Sequence, residues 1–243
     1  MENFWPEFLT FWAMVTNPEA EWGSMLLRGL SNTVLIAVAG LVIGIVLGAL
    51  VAVIEVSPKR GFLSKVLDKI CRIYVTIFRG TPMVVQLLVV YYIVLPLLGI
   101  KLEVVGVGIA VFGMNSGAYV SEIMRGGINS VDGGQMEAGR ALGLGYWTTM
   151  LKIVIPQAVK NIIPTIGNEF ITLIKETSVL SFITVFDLFT VFKVIGGAMY
   201  SVKVPYLTMA IIYIVLIVII TFIIKGFERM MAKSDRNKKG KGA

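Results

Sequence analysis

The chain has 243 residues, of which 56% are hydrophobic and only 15% charged, and its formal net charge is +7. A mean hydropathy of +0.84 leaves too little polar surface for a soluble globular protein. The composition therefore predicts an integral membrane protein. Its apolar runs are continuous and do not alternate with polar residues, which predicts an all-α protein and excludes a membrane β-barrel.

Residues 1–24 precede the first predicted span and are expected to form an external segment at the membrane interface. Pro6 and several acidic residues interrupt it, so it does not have the apolar core of a cleaved signal peptide. Apolar residues recur at helical spacing at Phe4, Phe8, Phe11 and Val15. This spacing predicts an amphipathic helix that lies at the external surface of the membrane. Packing of this helix against the first span is the alternative.

Five later stretches are long enough to cross about 30 Å of hydrocarbon, which takes about 20 helical residues. The predicted spans are residues 26–53, 74–98, 104–124, 161–183 and 206–224. They define a transmembrane domain over residues 25–228, followed by a basic tail over residues 229–243.

The distribution of charge predicts the orientation of these spans, because loops rich in Lys and Arg remain in the cytoplasm. Before Met25 there are four acidic residues and no Lys or Arg, whereas the first loop carries Lys59, Arg60, Lys65, Lys69 and Arg72. The N-terminus is therefore predicted outside, and five spans place the basic C-terminal tail inside. This one-sided distribution accounts for the net charge without a nucleic-acid partner.

No enzymatic chemistry is predicted for this chain. Cys71 is the only cysteine and there is no histidine, which removes the commonest metal ligand and proton shuttle. There is also no glycine-rich phosphate loop with an adjacent Lys-Ser or Lys-Thr. We expect neither a metal site nor a cofactor site within the chain.

A polar, glycine-containing loop separates the third and fourth predicted spans, at about residues 130–157. It contains Glu137-Ala138 and Gly143, followed at fixed spacing by Ile153 and Pro156. The spacing resembles the coupling loop of ABC importer permeases, which has Glu-Ala-Ala, a Gly four residues later, and Ile-x-Leu-Pro. Gly139 stands where the second Ala is usual, and Ile155 stands where Leu is usual.

Three further motifs narrow the resemblance to the polar amino acid uptake subfamily of ABC importers. They are Phe-Arg-Gly-Thr-Pro at 78–82, Asn-Ser-Gly-Ala-Tyr at 115–119, and Gly-Asn-Glu-Phe at 167–170 with Lys-Glu-Thr-Ser at 175–178. The resemblance covers about residues 22–230. It implies the type I ABC importer permease (MetI-like) architecture, in a multi-pass protein of the bacterial inner membrane.

The resemblance also implies partners. Members of the subfamily pair with a second permease, as homodimers or heterodimers, bind two ATPase subunits on the cytoplasmic side and receive substrate from an extracytoplasmic amino-acid-binding protein. ATP and magnesium would then be bound by the partner ATPase and not by this chain. The expected substrate is a polar amino acid, with arginine, histidine, lysine or glutamine favoured because of a buried acid in the fourth span.

Within the loop, residues 134–144 favour a short helix that Gly143 and Gly145 can end. Glu137 is expected in its first turn, where an acid suits the helix dipole and can accept hydrogen bonds from a partner's cation. A solvated acid with no partner is the simpler alternative. The expected ATPase-coupling residues are Glu137, Ala138, Gly139, Arg140 and Gly143.

Two spans carry polar stripes, which are costly in hydrocarbon and are usually kept where they face a cavity or a partner. One stripe joins Asn115, Tyr119 and Glu122, and the other joins Thr165, Glu169, Thr172 and Glu176. Glu169 lies near the middle of its span and could hold the ammonium group of an amino acid, or could instead form a structural ion pair. The expected substrate-binding residues are Asn115, Ser116, Tyr119, Glu169 and Thr172.

Two features concern architecture. Gly40, Gly44 and Gly48 form a ridge of small residues that permits close helix contact. The Arg79–Pro82 stretch contains a helix breaker and is expected to act as a hinge at the start of the second span.

Two other functions stay open at this point. An ion-coupled secondary carrier, with Glu169 and Glu122 as the titrating pair, would explain the intramembrane acids but not the loop from Glu137 to Pro156. A purely structural membrane subunit would leave the polar stripes without a role.

Overall fold

The computed structural model describes residues 4–17, 19, 21–59 and 61–239. Residues 1–3 of the predicted surface segment and 240–243 of the predicted tail lie outside the described residues. The regular secondary structure of the described part is entirely helical. Its α-helices are α1 Phe4–Val15, α2 Trp22–Val56, α3 Phe62–Gly80, α4 Met83–Val89, α5 Leu95–Leu97, α6 Val104–Asn129, α7 Gly133–Ala141, α8 Tyr146–Thr149, α9 Ile155–Glu176, α10 Leu188–Ala198 and α11 Lys203–Lys239.

Two π-helical turns and a 3₁₀-helix join some of these helices. Val90–Val94 connects α4 to α5, and Met150–Val154 connects α8 to α9, each in π geometry. Thr177–Ile183 continues α9 as a 3₁₀-helix. Among the described residues, three helices are long and apolar enough to cross a membrane alone, and two bent helix pairs raise the number to five if each pair is one span.

The predicted amphipathic helix forms as α1, and its apolar face packs on the protein. Phe11 is 1% exposed and belongs to a core cluster with Leu188, Phe192 and Val204, against which Phe4, Phe8 and Val15 also pack. The opposite side of α1 leaves Trp5 69% exposed. The apolar face of α1 is therefore buried against α10 and the start of α11.

The predicted second span, residues 74–98, is not a single helix. The chain breaks at Thr81 and Pro82, between α3 and α4, and the two segments bend sharply at that point. Pro82 has no backbone N–H and disfavours helical geometry in the residue before it. Gln86 stabilises the start of α4, because its Nε2 donates to the Thr81 carbonyl at 3.0 Å and to the Thr81 hydroxyl at 2.9 Å.

The glycine ridge of α2 makes the close helix contact that the sequence predicted, and the partner helix is α6. A Cβ on Gly44 would lie 2.6 Å from the Cβ of Ser116, and a Cβ on Gly48 would lie 2.7 Å from the Cγ1 of Val120. The residue numbers of the contacts increase in the same direction along both helices, so α2 and α6 run parallel. Only glycine allows this backbone approach at these positions.

A helix that the sequence analysis did not predict follows the fourth predicted span. Thr184 has a φ of +63°, which ends the 3₁₀-helix, and the buried Asp187 then caps α10. The Asp187 carboxylate accepts from the backbone N–H of Thr190 at 2.9 Å and of Phe189 at 3.2 Å. The fold therefore includes one more helix before the last span.

The last helix is longer than predicted. The predicted span covers residues 206–224, whereas α11 runs from Lys203 to Lys239. The predicted boundary at residue 229 therefore falls inside a continuous helix, and the basic segment as far as Lys239 is helical.

The chain divides into two compact units. The first comprises Met1–Gly40, Thr81–Gly113 and Thr172–Ile219, and contains the core cluster around Phe11. The second comprises Leu41–Gly80, Met114–Ile171 and Ile220–Ala243, and contains the loop from residue 130 to 157.

Candidate functional site

The predicted short helix in the polar loop is α7, Gly133–Ala141. Asp132 caps it, because its Oδ1 accepts from the backbone N–H of Gly134 at 2.9 Å. Gly143, with a φ of +82°, follows the helix end in left-handed geometry. The expectation that Glu137 lies in the first turn is wrong, since the helix begins at Gly133. The acid that complements the helix N-terminus is Asp132.

One face of this loop is open and the other is packed. Glu137, Ala138 and Arg140 are exposed, and Leu142 is 80% exposed. Gly139 is buried instead, and a Cβ on it would lie 2.4 Å from the Cγ2 of Thr149. This contact gives a physical reason for Gly where the family pattern usually has Ala.

Side-chain contacts hold the loop on its neighbouring helices. Ser130 and Asn161 join the two ends of the loop, with the Asn161 Nδ2 donating to the Ser130 Oγ at 2.8 Å. The Tyr146 hydroxyl donates to the carbonyl of Val56, the last residue of α2, at 2.7 Å. The loop is therefore braced against α2 and α9 while the outer face of α7 stays available.

A cluster of charged side chains lies close to the same loop in the second unit. The Glu122 Oε2 lies 2.6 Å from the Arg125 Nη2 and 3.2 Å from the Arg79 Nη1. The Arg79 guanidinium also lies over the Tyr119 ring, 5.4 Å from its centroid. Glu55, at the end of α2, lies 3.9 Å from the Arg125 Nε. Ion pairs therefore connect α2, α3 and α6.

The cluster borders a cavity of about 640 Å³. Its charged lining residues are Glu55, Arg72, Arg79, Glu122 and Arg125, and Tyr146 and Met150 from the loop segment complete one side. No sequence pattern indicates this site, because its members come from three helices that are distant in the sequence. The available signal was the excess of charged residues near the predicted span ends.

The predicted substrate-binding residues have different environments. Ser116 is fully buried at the Gly44 contact, and Asn115 is 4% exposed, with its Nδ2 donating to the Phe78 carbonyl at 3.4 Å. Tyr119 is 36% exposed. Glu169 is half-buried in the second unit, whereas Thr172 belongs to the first. The structure therefore brings Asn115, Ser116 and Tyr119 together on α6.

A long polar loop that displays an exposed helix, in a chain with helices of membrane-spanning length, is typical of the membrane subunit of a transport complex. Comparison with known proteins agrees. Residues 44–233 match the family model described as binding-protein-dependent transport system inner membrane component. The chain belongs to this family.

Relatives across nearly the whole chain are permeases. The arginine transport system permease protein ArtQ of Bacillus subtilis is 40% identical over 210 residues, which cover 86% of this chain and 94% of the relative. A putative glutamine transport system permease protein, GlnP of Rickettsia conorii, is 37% identical over 206 residues, which cover 85% and 92%. The prediction of an ABC permease is confirmed, and the ion-coupled carrier is not supported.

Solved structures give the same fold. A crystal structure of an amino acid ABC transporter with histidines has 33% sequence identity and a TM-score of 0.80, over 92% of this chain and 98% of that chain. The MetNI methionine ABC transporter in an inward-facing conformation has 19% identity and a TM-score of 0.71, over 85% and 95%. The second likeness supports the fold alone.

Proposed function

We propose that this chain is the membrane-spanning subunit of an ATP-driven importer of a polar amino acid. Two observations together carry this proposal. Helix α7 is held on its neighbours and has a solvent-exposed face, and the relatives of the chain are named as arginine and glutamine permeases. Arginine, histidine, lysine and glutamine are the candidate substrates. The bacterial relatives support a place in the bacterial inner membrane.

Helix α7 docks the partner ATPase in this proposal. Glu137 and Arg140 offer one acid and one base at the surface, and Ala138 and Leu142 offer apolar contact beside them. Charged groups give specificity and apolar groups give contact area in such an interface. Gly139 and Gly143 act indirectly, because Gly139 lets α7 lie against Thr149 and Gly143 ends the helix.

We propose five spans with the N-terminus outside and the C-terminus inside. Because α2 and α6 run parallel, the chain between them must cross back once, and the bent pair formed by α3 and α4 can do so. Helix α9 returns from the loop, since Gly127 near the end of α6 contacts Ile162 near the start of α9. Helix α11 is then the fifth span, and the basic residues near its end favour the cytoplasm.

This topology assigns residues 1–24 to the outer surface, 25–228 to the permease domain, with the coupling loop at about 130–157, and 229–243 to the cytoplasmic side. The partners are then two ATPase subunits, which bind ATP and magnesium, an extracytoplasmic amino-acid-binding protein, membrane lipids and a second permease subunit. The pairing of two permeases would enclose the transport path.

Tyr119, Glu169 and Thr172 are our candidates for residues that contact substrate along this path. Each is exposed or half-buried. Asn115 and Ser116 are buried, which supports a role for Ser116 in packing α6 on Gly44 and for Asn115 in holding the Phe78 carbonyl. A change of conformation during transport would be needed to expose them.

Uptake into proteoliposomes tests the proposal. The chain is reconstituted with its ATPase and binding protein, and labelled arginine, histidine, lysine and glutamine are supplied outside with ATP inside. We expect uptake of at least one of them that stops without ATP and survives a protonophore. Uptake that survives ATP depletion but stops with the protonophore would refute it.

Glu137→Ala tests the docking role in the same assay. We expect at least a tenfold loss of ATP-driven uptake, because the variant removes a charged contact of the docking face, while insertion is unchanged. Glu103→Ala is the matched control, since Glu103 is also exposed but lies before α6 and outside the loop. Normal uptake with Glu137→Ala would contradict the docking role.

A further inference from the structure

The charged cavity in the second unit contains a buried acid, Glu55, that has an ion pair with Arg125 but, within the described part of the chain, no hydrogen-bond donor on one carboxylate oxygen. The Glu55 side chain is only 6% exposed, and it lines the cavity. Among the residues that the structure describes, none donates a hydrogen bond to its Oε2. The Arg125 Nε, at 3.9 Å, is too distant for one. A buried carboxylate oxygen without a donor is costly, so the site favours a ligand that brings a cationic donor.

The same cavity also offers donors for an anion. Arg72 and Arg79 both line it, and each is bound to a carboxylate through one nitrogen, Arg72 to Asp68 through Nε at 3.0 Å and Arg79 to Glu122 through Nη1 at 3.2 Å. A guanidinium carries five N–H groups in a planar fork, so further donors remain on both side chains. Their side chains are 68% and 42% exposed, respectively.

Simple ions fit this arrangement less well than a zwitterion does. An anion alone would leave Glu55 without a donor and would lie close to two carboxylates. A cation alone would lie close to three guanidinium groups. A molecule with an ammonium and a carboxylate on one carbon can meet both demands. A cavity of about 640 Å³ is within the usual range for small-molecule sites.

We propose that this cavity is a binding site for the transported amino acid, in which Glu55 receives the α-ammonium group and Arg72 and Arg79 receive the α-carboxylate. The inference rests on the proposed function as an amino acid importer. It adds a site that is distinct from Glu169, which does not line this cavity.

The site lies beside the coupling loop at about residues 130–157. Tyr146 and Met150 line the cavity, and they follow α7 directly in the chain. Tyr146 also donates to the carbonyl of Val56, the residue after Glu55. A bound amino acid would therefore contact the base of the loop that docks the ATPase. Because the proposed topology places this loop on the cytoplasmic side, the site belongs to the last stage of transport, before release.

The test measures equilibrium binding to the detergent-solubilised complex of permease and ATPase, without the binding protein. The ligands are the amino acid that the uptake assay selects from arginine, histidine, lysine and glutamine, the same molecule without its carboxylate, and the same molecule without its α-amino group. Binding is measured for wild type, Glu55→Gln, Arg72→Gln and the control Glu103→Gln. All are compared again in a Glu169→Gln background, which separates the cavity from the path.

Each variant should affect only the ligands that carry the matching group. Glu55→Gln should weaken the intact amino acid about tenfold or more and leave the deaminated acid unchanged. Arg72→Gln should weaken the intact amino acid similarly and leave the decarboxylated amine unchanged. Arg72 is a safe choice for the fold, because the Lys59 Nζ remains 2.9 Å from the Asp68 carboxylate.

Three results would overturn the inference. They are unchanged binding in both variants, an equal loss for all three ligands in the Glu55 variant, and complete loss of binding in the Glu169→Gln background. The proposed function fails separately, if the wild-type complex with its binding protein shows no ATP-driven uptake of amino acids. Uptake by wild type combined with any of the three results leaves the importer in place and removes the cavity site.

Discussion

Replacing Gly48 with Ala tests the close packing of α2 on α6. The added Cβ would lie 2.8 Å from the backbone nitrogen of Ser121 and 2.7 Å from the Cγ1 of Val120. Ordinary contacts of a Cβ begin at 3.4 Å, so the two helices must move apart by about 0.6–0.7 Å. Neither contact is the end of a flexible side chain, since one is backbone and the other is β-branched.

Two opposing effects set the size of the change. Overpacking of this kind costs about 1–3 kcal/mol, whereas Ala in place of Gly inside a helix contributes about 0.8–1.0 kcal/mol of stability. Gly126→Ala is the matched control, because Gly126 is also within a helix of this packing pair and a Cβ there would meet nothing within 4 Å. The difference between the two variants removes the propensity effect and isolates the clash. We expect Gly48→Ala to be less stable than Gly126→Ala by about 1–3 kcal/mol.

The measurement is reversible unfolding of each variant from mixed micelles with increasing denaturing detergent, followed by tryptophan fluorescence. The free energy of unfolding is compared at one detergent composition. Equal stability of Gly48→Ala and Gly126→Ala would refute the argument, because it would mean that the contact between α2 and α6 can open at no cost.

The remaining predictions concern the loop and α10. Gly139→Ala introduces the residue that is usual in the family, and it should reduce both stability and uptake in this chain. Adding Thr149→Ala should restore both, because it removes the methyl group 2.4 Å from the new Cβ. Thermal stability and uptake of the single and double variants check this. Asp187→Ala removes the acceptor for two backbone N–H groups and should cost about 1–2 kcal/mol, measured by detergent unfolding. Tyr146→Phe removes the hydrogen bond to the Val56 carbonyl and should cost about 1 kcal/mol, measured in the same way.

Two controls make these predictions specific. Asp132→Ala removes an exposed cap with one backbone N–H partner, so it should cost less than Asp187→Ala. Tyr200→Phe changes a side chain that is 99% exposed and should leave stability unchanged. The cap argument fails if Asp132→Ala is the more harmful change. The hydrogen-bond argument fails if Tyr146→Phe and Tyr200→Phe are indistinguishable. For the loop, a double variant no better than Gly139→Ala would contradict the steric explanation.

Local patterns predicted the features that depend on residues close together in the chain. Gly143 follows the end of α7, and the spacing of Gly40, Gly44 and Gly48 produces the packing ridge, because helix periodicity alone places those residues on one face. The interruption of the second predicted span was expected only as a hinge at its start. Hydropathy averages over a window, so it does not distinguish one helix from two that break at Pro82.

The charged cavity required contacts that no local pattern contains. Glu55, Arg79 and Glu122 belong to α2, α3 and α6, and their separation in the sequence hides their proximity in space. Gly139 is a similar case. The sequence showed a departure from the family pattern there, but its reason, the methyl group of Thr149, became evident only from the packing of α7.

The parallel contact of α2 and α6 also affects how the protein is made. Gly48 packs on Val120, which is synthesised 72 residues later. At about 5–20 residues per second, the ribosome needs roughly 4 to 15 seconds to supply that partner. During this interval α2 must remain in the bilayer with its glycine groove filled by lipid or held by the insertion machinery. The final helix pair therefore forms only after the lipid or the insertion machinery has been displaced.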